Sequence, residues 1–265
     1  MHGEVEDVAW IAPRMVRIVL GGTGLRGFAV NGDTDSYINV AIPPAEAPYG
    51  PVFDVDEVRA TLPAEFWPAR RRYTVRAWDE AAGLLTVDVV THGDDGAAGP
   101  WAASARPGDV LVFSGPSGGY RPAADAAWHL MAGDESALPA IAASLEVLAP
   151  TARAVVRVVC DGPEHEIELV SPAEVDLLWL HRDASPDVDQ LAASIRALPW
   201  SPGPVHAFVH GEADEIRGVR KHLLTDRGLT RADMSCSPYW RRTMTDEAWR
   251  QVKRDFVRAM EDDTP

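Results

Sequence analysis

The chain has 265 residues, 46% of them hydrophobic, enough to bury a sizeable core in one large domain or two ordinary ones. A formal net charge of -15 excludes nucleic acid as an expected partner, because a phosphate backbone would be repelled, and it disfavours docking to an acidic electron carrier. No run of about twenty apolar residues is present to span a bilayer, the segment Met1-His2-Gly3-Glu4-Val5-Glu6-Asp7 is too acidic to open a signal peptide, and the expectation is a cytoplasmic monomer without stable membrane insertion. Cys160 and Cys236 are the only cysteines, too few for a disulfide framework or a cysteine-rich metal site, and they read as ordinary buried thiols.

Up to Asp125 the chain shows short alternating runs at Met15 to Leu20, Tyr37 to Ile42, Arg72 to Trp78, Leu84 to Val90 and Asp109 to Phe113. The breakers Gly21-Gly22, Pro43-Pro44 and Pro107-Gly108-Asp109 punctuate them, which predicts antiparallel strands of a barrel or sandwich. Beyond Asp125 strands and helices alternate. Strands are predicted at Trp128 to Ala132, Ala154 to Val159, Val175 to Leu180 and Val205 to Val209, with a final one ending at Tyr239 and Trp240. Helices are predicted at Ala137 to Leu148, Val188 to Leu198, Asp214 to Arg227 and Asp246 to Met260. That rhythm implies a parallel, doubly wound sheet. The expected architecture is an antiparallel β-barrel over residues 1–124 and a Rossmann-like domain with a C-terminal helix over 125–265, joined by a linker near Tyr120 to Ala127.

Arg71-Arg72-Tyr73-Thr74-Val75-Arg76 puts a cation and an aromatic ring on one side of a strand, since residues two apart face the same way. A nucleotide with a large flat ring uses both: arginine offers a fork of donors to a pyrophosphate, and tyrosine a face for the ring. Taken alone, the run also fits an edge strand with solvated arginines. Gly96-Ala97-Ala98-Gly99-Pro100-Trp101-Ala102 carries the small residues that let backbone N–H groups approach a phosphate, with a helix expected to start near Trp101; the other reading is a plain surface loop.

Gly133-Asp134-Glu135-Ser136 lies between the first strand and first helix of the second domain, where doubly wound folds bind dinucleotides. There is no G-x-G-x-x-G, and the two carboxylates would repel a pyrophosphate unless they turn away; acidic residues at a helix start are also favoured by its dipole alone. Cys160-Asp161-Gly162 and His181-Arg182-Asp183 follow the second and third strands. An acidic residue at the end of the second strand suits a ribose hydroxyl, whereas Arg182 suits a 2′-phosphate, and the preference here is for NADPH through Arg182. His206 and His210 share a strand face but read as core or edge residues in the absence of a third ligand.

The ordered set of these segments, continued by Leu84-Leu85-Thr86-Val87-Asp88-Val89-Val90-Thr91-His92, Gly115-Pro116-Ser117-Gly118-Gly119-Tyr120, Val209-His210-Gly211-Glu212-Ala213 and Tyr239-Trp240-Arg241-Arg242, resembles the siderophore-interacting protein family, flavin-dependent ferric-siderophore reductases of the ferredoxin-reductase superfamily. The resemblance implies an FAD-binding barrel, an NAD(P)H-binding Rossmann-like domain, FAD with NADPH or NADH as cofactors, and a ferric siderophore as substrate. It implies that Arg71 neutralises the FAD pyrophosphate, that Tyr73 packs on the isoalloxazine, and that Thr74 reaches flavin N5, through backbone atoms because strict alternation turns its side chain away. Val75, Asp88, Val90 and His92 join the same cofactor site, and Ala97, Ala98, Pro100 and Trp101 the phosphate segment. Gly133, Asp134, Glu135, Ser136 and Arg182 would take the nicotinamide coenzyme, while Tyr239, Trp240, Arg241 and Arg242 border flavin and chelate. Two departures stand out: Gly99-Pro100 abuts Trp101, where the family has small residues before a Trp-Ala pair a few positions later, and Pro238 and Thr243 replace usual glycines. Alternatives are a related reductase with a protein or small organic acceptor, and a flavin- or siderophore-binding protein without catalysis.

Overall fold

The computed structural model describes residues 1–91, 93, 96–184 and 189–263, and contacts divide the chain into two units, Met1–Gly119 and Tyr120–Pro265. Period-two alternation builds the first. Val16, Ile18 and Leu20 of β2 (Met15–Gly21) point inward, with Ile38, Val40 and Ile42 of β3 (Tyr37–Ile42) and Leu85, Val87 and Val89 of β5 (Leu84–Val90). Each such side chain, removed fully from water, contributes about 1.5–3 kcal/mol. With β1 (His2–Ala12), β4 (Ala69–Asp79) and β6 (Val110–Ser117) they close into a barrel of order β1-β2-β5-β4-β3-β6, each neighbouring pair antiparallel. Among the described residues two short α-helices decorate it. α1 (Val55–Thr61) is started by Asp54, whose carboxylate accepts from the N–H groups of Asp56 and Glu57, and α2 (Ala98–Ser104) lies between β5 and β6.

The second unit is a parallel sheet of order β11-β10-β7-β8-β9, made of β7 (Trp128–Asp134), β8 (Arg153–Cys160), β9 (Glu174–His181), β10 (Val205–Glu212) and β11 (Met234–Trp240). Helices α3 (Leu138–Glu146), α4 (Gln190–Arg196), α5 (Ala213–Thr225) and α6 (Asp246–Asp262) follow β7, β9, β10 and β11. The core joins Leu130, Ala132 and Val209 of the sheet to Ile216, Val219 and Leu223 of α5 and to Trp249, Phe256 and Met260 of α6. Strand order reverses between β7 and β10, so the crevice that such folds offer to ligands opens where these two strands end. Tyr120 stacks on His206 at 4.8 Å, which attaches the start of the expected linker to the second unit. No helix among the described residues is long and apolar enough to cross a membrane.

One face of β10 carries His206, Phe208 and His210, and the rings of the last two stack at 3.9 Å. Burial pushes His210 down to about 3, helped by the charge of Lys253, and burial also lowers His206 and His129. A histidine that stays neutral when folded but has an ordinary value near 6.5 when unfolded draws a proton to the unfolded chain first, so stability is intact above about pH 6.5 and falls with pH below it. Replacing His210 by phenylalanine is therefore expected to flatten the loss of stability between about pH 6.5 and 3 by about 1 kcal/mol per pH unit. Urea melts at several pH values check this; an unaltered slope would contradict it.

Candidate functional site

Arg71 and Tyr73 lie on β4 opposite Val40 and Ile38 of β3, while Arg72 and Thr74 oppose Asn39 and Tyr37. The first two thus share a face, as expected, and Tyr73 packs against the barrel core. Arg71 donates from Nη1 to the Arg70 carbonyl oxygen (2.9 Å), and Arg72, on the other face, lies 5.5 Å from the Tyr37 ring centroid. Thr74 and Val75 are both buried where strict alternation would bury one.

The ladder between β4 and β5 runs from Val75↔Val87 to Asp79↔Leu84, with a bulge after Val75. Before Val75, β4 is laddered to β3; after Val87, β5 is laddered to β2 through Asp88↔Arg17 and Val90↔Met15. The two strands therefore part above that pair. Arg71, Tyr73 and Thr74 stand on one lip of the split, Asp88 and Val90 on the other. The carboxylate of Asp88 is already used: it is buried and takes both Nε (2.7 Å) and Nη2 (2.8 Å) of Arg17, so what Asp88 offers a ligand is backbone. His92 lies outside the described residues.

α2 begins at Ala98 rather than near Trp101, because Gly96 takes a positive φ of 76° and Trp101 N–H already reaches the Ala97 carbonyl (3.3 Å). Pro100 sits in the first turn, where its missing N–H costs nothing. Ala97 and Trp101 pack against the barrel core beside buried Ala98, leaving small residues at the start of the helix.

In the second unit Gly133 closes the gap between β7 and β10: a Cβ there would collide with the His210 carbonyl and approach the Ala137 Cβ to 2.7 Å. Asp134, only 1% exposed, turns inward across the switch point. Its Oδ1 accepts from Ser136 N–H (2.9 Å) and Oγ–H (2.5 Å), and its Oδ2 from Glu212 N–H (2.7 Å) and the Trp240 indole (2.8 Å). Glu135 pairs with Arg182 through both oxygens (2.6 and 2.8 Å), and Arg182 also donates to Asp161 (2.9 Å). Arg182, expected to await a phosphate, is instead held by two carboxylates; burial works against its charge, but Glu135, Asp134 and Asp161 outweigh this and raise its pKa.

The expected Tyr239, Trp240, Arg241 and Arg242 set divides. Trp240 bonds to Asp134, and Tyr239 sits 5.0 Å from the His210 ring. Arg241 and Arg242 line a cavity of about 400 Å³ with Glu212, Asp214, Thr243 and Met244. Glu212 caps α5, accepting from Asp214 and Glu215 N–H, and receives the Arg242 N–H (3.1 Å). Arg241 pairs with Asp214, and the Arg242 guanidinium with buried Glu215. Burial pushes Glu215 up to about 8, with Asp134 adding to the effect and Arg242 opposing it. The acidic partners Asp214 and Glu215 escaped sequence reading, since a helix start rich in carboxylates reads as plain dipole compensation.

Thr243 holds φ at 65°, a region that glycine occupies without cost and a β-branched residue does not. Thr243→Gly is expected to stabilise the protein by about 0.5–1 kcal/mol, net of the greater freedom of an unfolded glycine. Thermal unfolding checks it, and a lower melting temperature would contradict it.

Among the described residues no group of three metal-ligating side chains comes together. Cys160 and Cys236 are free thiols, both pushed up to about 12 by burial.

Two family profiles match the chain: "Siderophore-interacting FAD-binding domain" over residues 4–120 and "Siderophore-interacting protein" over residues 126–243. An uncharacterized protein of Mycobacterium tuberculosis is 40% identical over 272 residues, 97% of this chain and 95% of that protein. The ferric vibriobactin reductase of Vibrio cholerae is 32% identical over 248 residues, 92% of this chain and 90% of that protein. The crystal structure of a siderophore utilization protein from T. fusca is similar with a TM-score of 0.81 and 34% identity, covering 93% of this chain and 94% of that one.

Proposed function

The chain belongs to the siderophore-interacting protein family, and from that premise we propose that it is an FAD-dependent reductase of ferric siderophores, supplied with electrons by NADH or NADPH. The observation that carries this reading is the split between β4 and β5, which lies within the stretch matched to the FAD-binding domain and has Arg71 and Tyr73 on one lip. The donor set fits FAD: a cation for the pyrophosphate, a ring with its hydroxyl for the isoalloxazine, backbone at Thr74, Val75, Asp88 and Val90, and small residues at Ala97 and Ala98 that let N–H groups near a phosphate, with Pro100 and Trp101 shaping that turn.

FAD, when bound, supplies the exchange between a two-electron hydride donor and a one-electron ferric acceptor. Iron(II), with its smaller charge, holds hard oxygen ligands less tightly, so reduction of the chelate frees the metal. The chain's own residues bind and orient. Gly133 and Asp134 are the last two residues of β7 rather than part of the loop after it, and with Glu135 and Ser136 of the following turn they stand at the switch point where a dinucleotide is received; with Asp134 turned inward, one of the two carboxylates no longer faces an incoming pyrophosphate.

Arg241 and Arg242 contact the chelate, a role supported by their place in the cavity wall. Alanine at both is expected to lower kcat/KM for an anionic ferric chelate by about tenfold or more, the loss of at least one charge-assisted contact, with FAD still bound. Unchanged kinetics would remove this role. For the reaction itself the test is an anaerobic assay with a ferrous-specific chelator: the coloured iron(II) complex should form only when protein, reduced nicotinamide and ferric siderophore are all present. Formation at the same rate without protein would defeat the proposal.

A further inference from the structure

Glu135, Arg182 and Asp161 are each the first residue beyond a strand, and the three strands, β7, β9 and β8, are neighbours in the sheet with β8 in the middle. Parallel pairing carries all three strand ends to one edge, through Asp134↔Val159 and Cys160↔His181. The chain is fixed there by backbone bonds from Arg182 N–H to the Cys160 carbonyl (2.9 Å) and from Asp183 N–H to that of Asp161 (3.1 Å). In doubly wound folds the adenosine ribose lies over this edge, where an acidic group accepts from the 2′-hydroxyl or an arginine takes a 2′-phosphate. Both groups are present, and they hold each other. Glu135 occupies two guanidinium N–H groups in fork geometry, and Asp161 takes a bond from Nη1. Two carboxylates against one guanidinium leave this corner net negative, and Asp183 and Glu166 lie on the same edge, the latter bonded to His181 at 2.8 Å. A 2′-phosphate would have to displace Glu135 from Arg182 and leave a partly buried carboxylate without its partner. A 2′-hydroxyl needs only an acceptor.

We propose that Glu135 and Asp161 sequester Arg182 and so make the coenzyme site select NADH over NADPH, a device of repulsion as much as of attraction. The inference rests on the nicotinamide reading above and reverses the preference for NADPH drawn from Arg182 in the sequence.

The test is calorimetric titration of the purified full-length protein with ADP-ribose and with 2′-phospho-ADP-ribose, fragments that lack the nicotinamide, cannot deliver hydride and differ by that phosphate alone. The wild type should bind ADP-ribose about tenfold or more tightly, the scale of one charge-assisted contact. The double variant Glu135→Gln/Asp161→Asn frees the guanidinium and should gain about tenfold or more for the phosphorylated fragment, a gain that added Arg182→Ala should abolish. Wild type that binds the phosphorylated fragment equally well or better overturns the proposal, as does a folded double variant that gains nothing; should that variant fail to fold, the wild-type preference decides. If neither fragment binds and neither NADH nor NADPH alters the protein's flavin absorption, the nicotinamide reading itself falls, and this proposal with it.

Discussion

Replacing Arg71 with alanine is expected to weaken FAD binding about tenfold to a hundredfold, since one charge-assisted contact to a phosphate contributes about 1.5–3 kcal/mol. The chain's charge of -15 sharpens the effect, because a dianionic pyrophosphate approaches an acidic protein only where cations are placed for it. Arg72 is the internal control. It has the same charge on the opposite face of β4, beside Tyr37, and Arg72→Ala should leave FAD affinity nearly unchanged. Fluorescence titration of the FAD-free protein measures both. Equal losses in the two variants would mean a general electrostatic effect of the strand, and no loss in Arg71→Ala would remove Arg71 from the cofactor site.

The second large effect is expected at Asp134. Its carboxylate gathers four donors from three strand ends, two of them the Glu212 N–H and the Trp240 indole, 78 and 106 residues away in sequence. Asp134→Ala leaves those two donors without their acceptor, and at about 1–3 kcal/mol for each buried unsatisfied group the second unit should lose about 3 kcal/mol or more. The removed charge also stood close to Glu215 and held its proton on, so the Glu215 pKa should fall in the same variant. Urea unfolding measures the first change and carbon-detected NMR titration the second. A variant as stable as the parent would show that this carboxylate does not tie the sheet edge together.

Sequence periodicity located the elements that keep a large apolar residue at every second position: β3 and β5 have the expected limits because Ile38, Val40 and Ile42 in one and Leu85, Val87 and Val89 in the other all enter the core, even though Ala41 and Asp88 between them are buried as well. β1 escaped because a bulge between Val5 and Asp7 breaks its period two among acidic residues, and α1 because seven residues give only two turns. The face shared by Arg71 and Tyr73 was legible, being a local property of one strand. The split beside it was not, since it depends on where two strands cease to pair. Charge pairing was the least legible: Arg182 lies 47 residues from Glu135 and 21 from Asp161, and only the parallel register of three strands brings them to one corner. Read as single residues, Asp161 and Arg182 point to opposite coenzymes; read as a pair, they point to one.

The central claim, that this chain moves electrons from a nicotinamide through bound FAD to a chelated ferric ion, is tested most directly by anaerobic visible spectroscopy of the purified protein. NADH should bleach the flavin absorption, and a ferric siderophore added afterwards should restore it at two equivalents of iron per flavin, because hydride brings two electrons and each iron takes one. Absorption that NADH and NADPH both leave unchanged, or that stays bleached when the ferric chelate is added, would contradict the account.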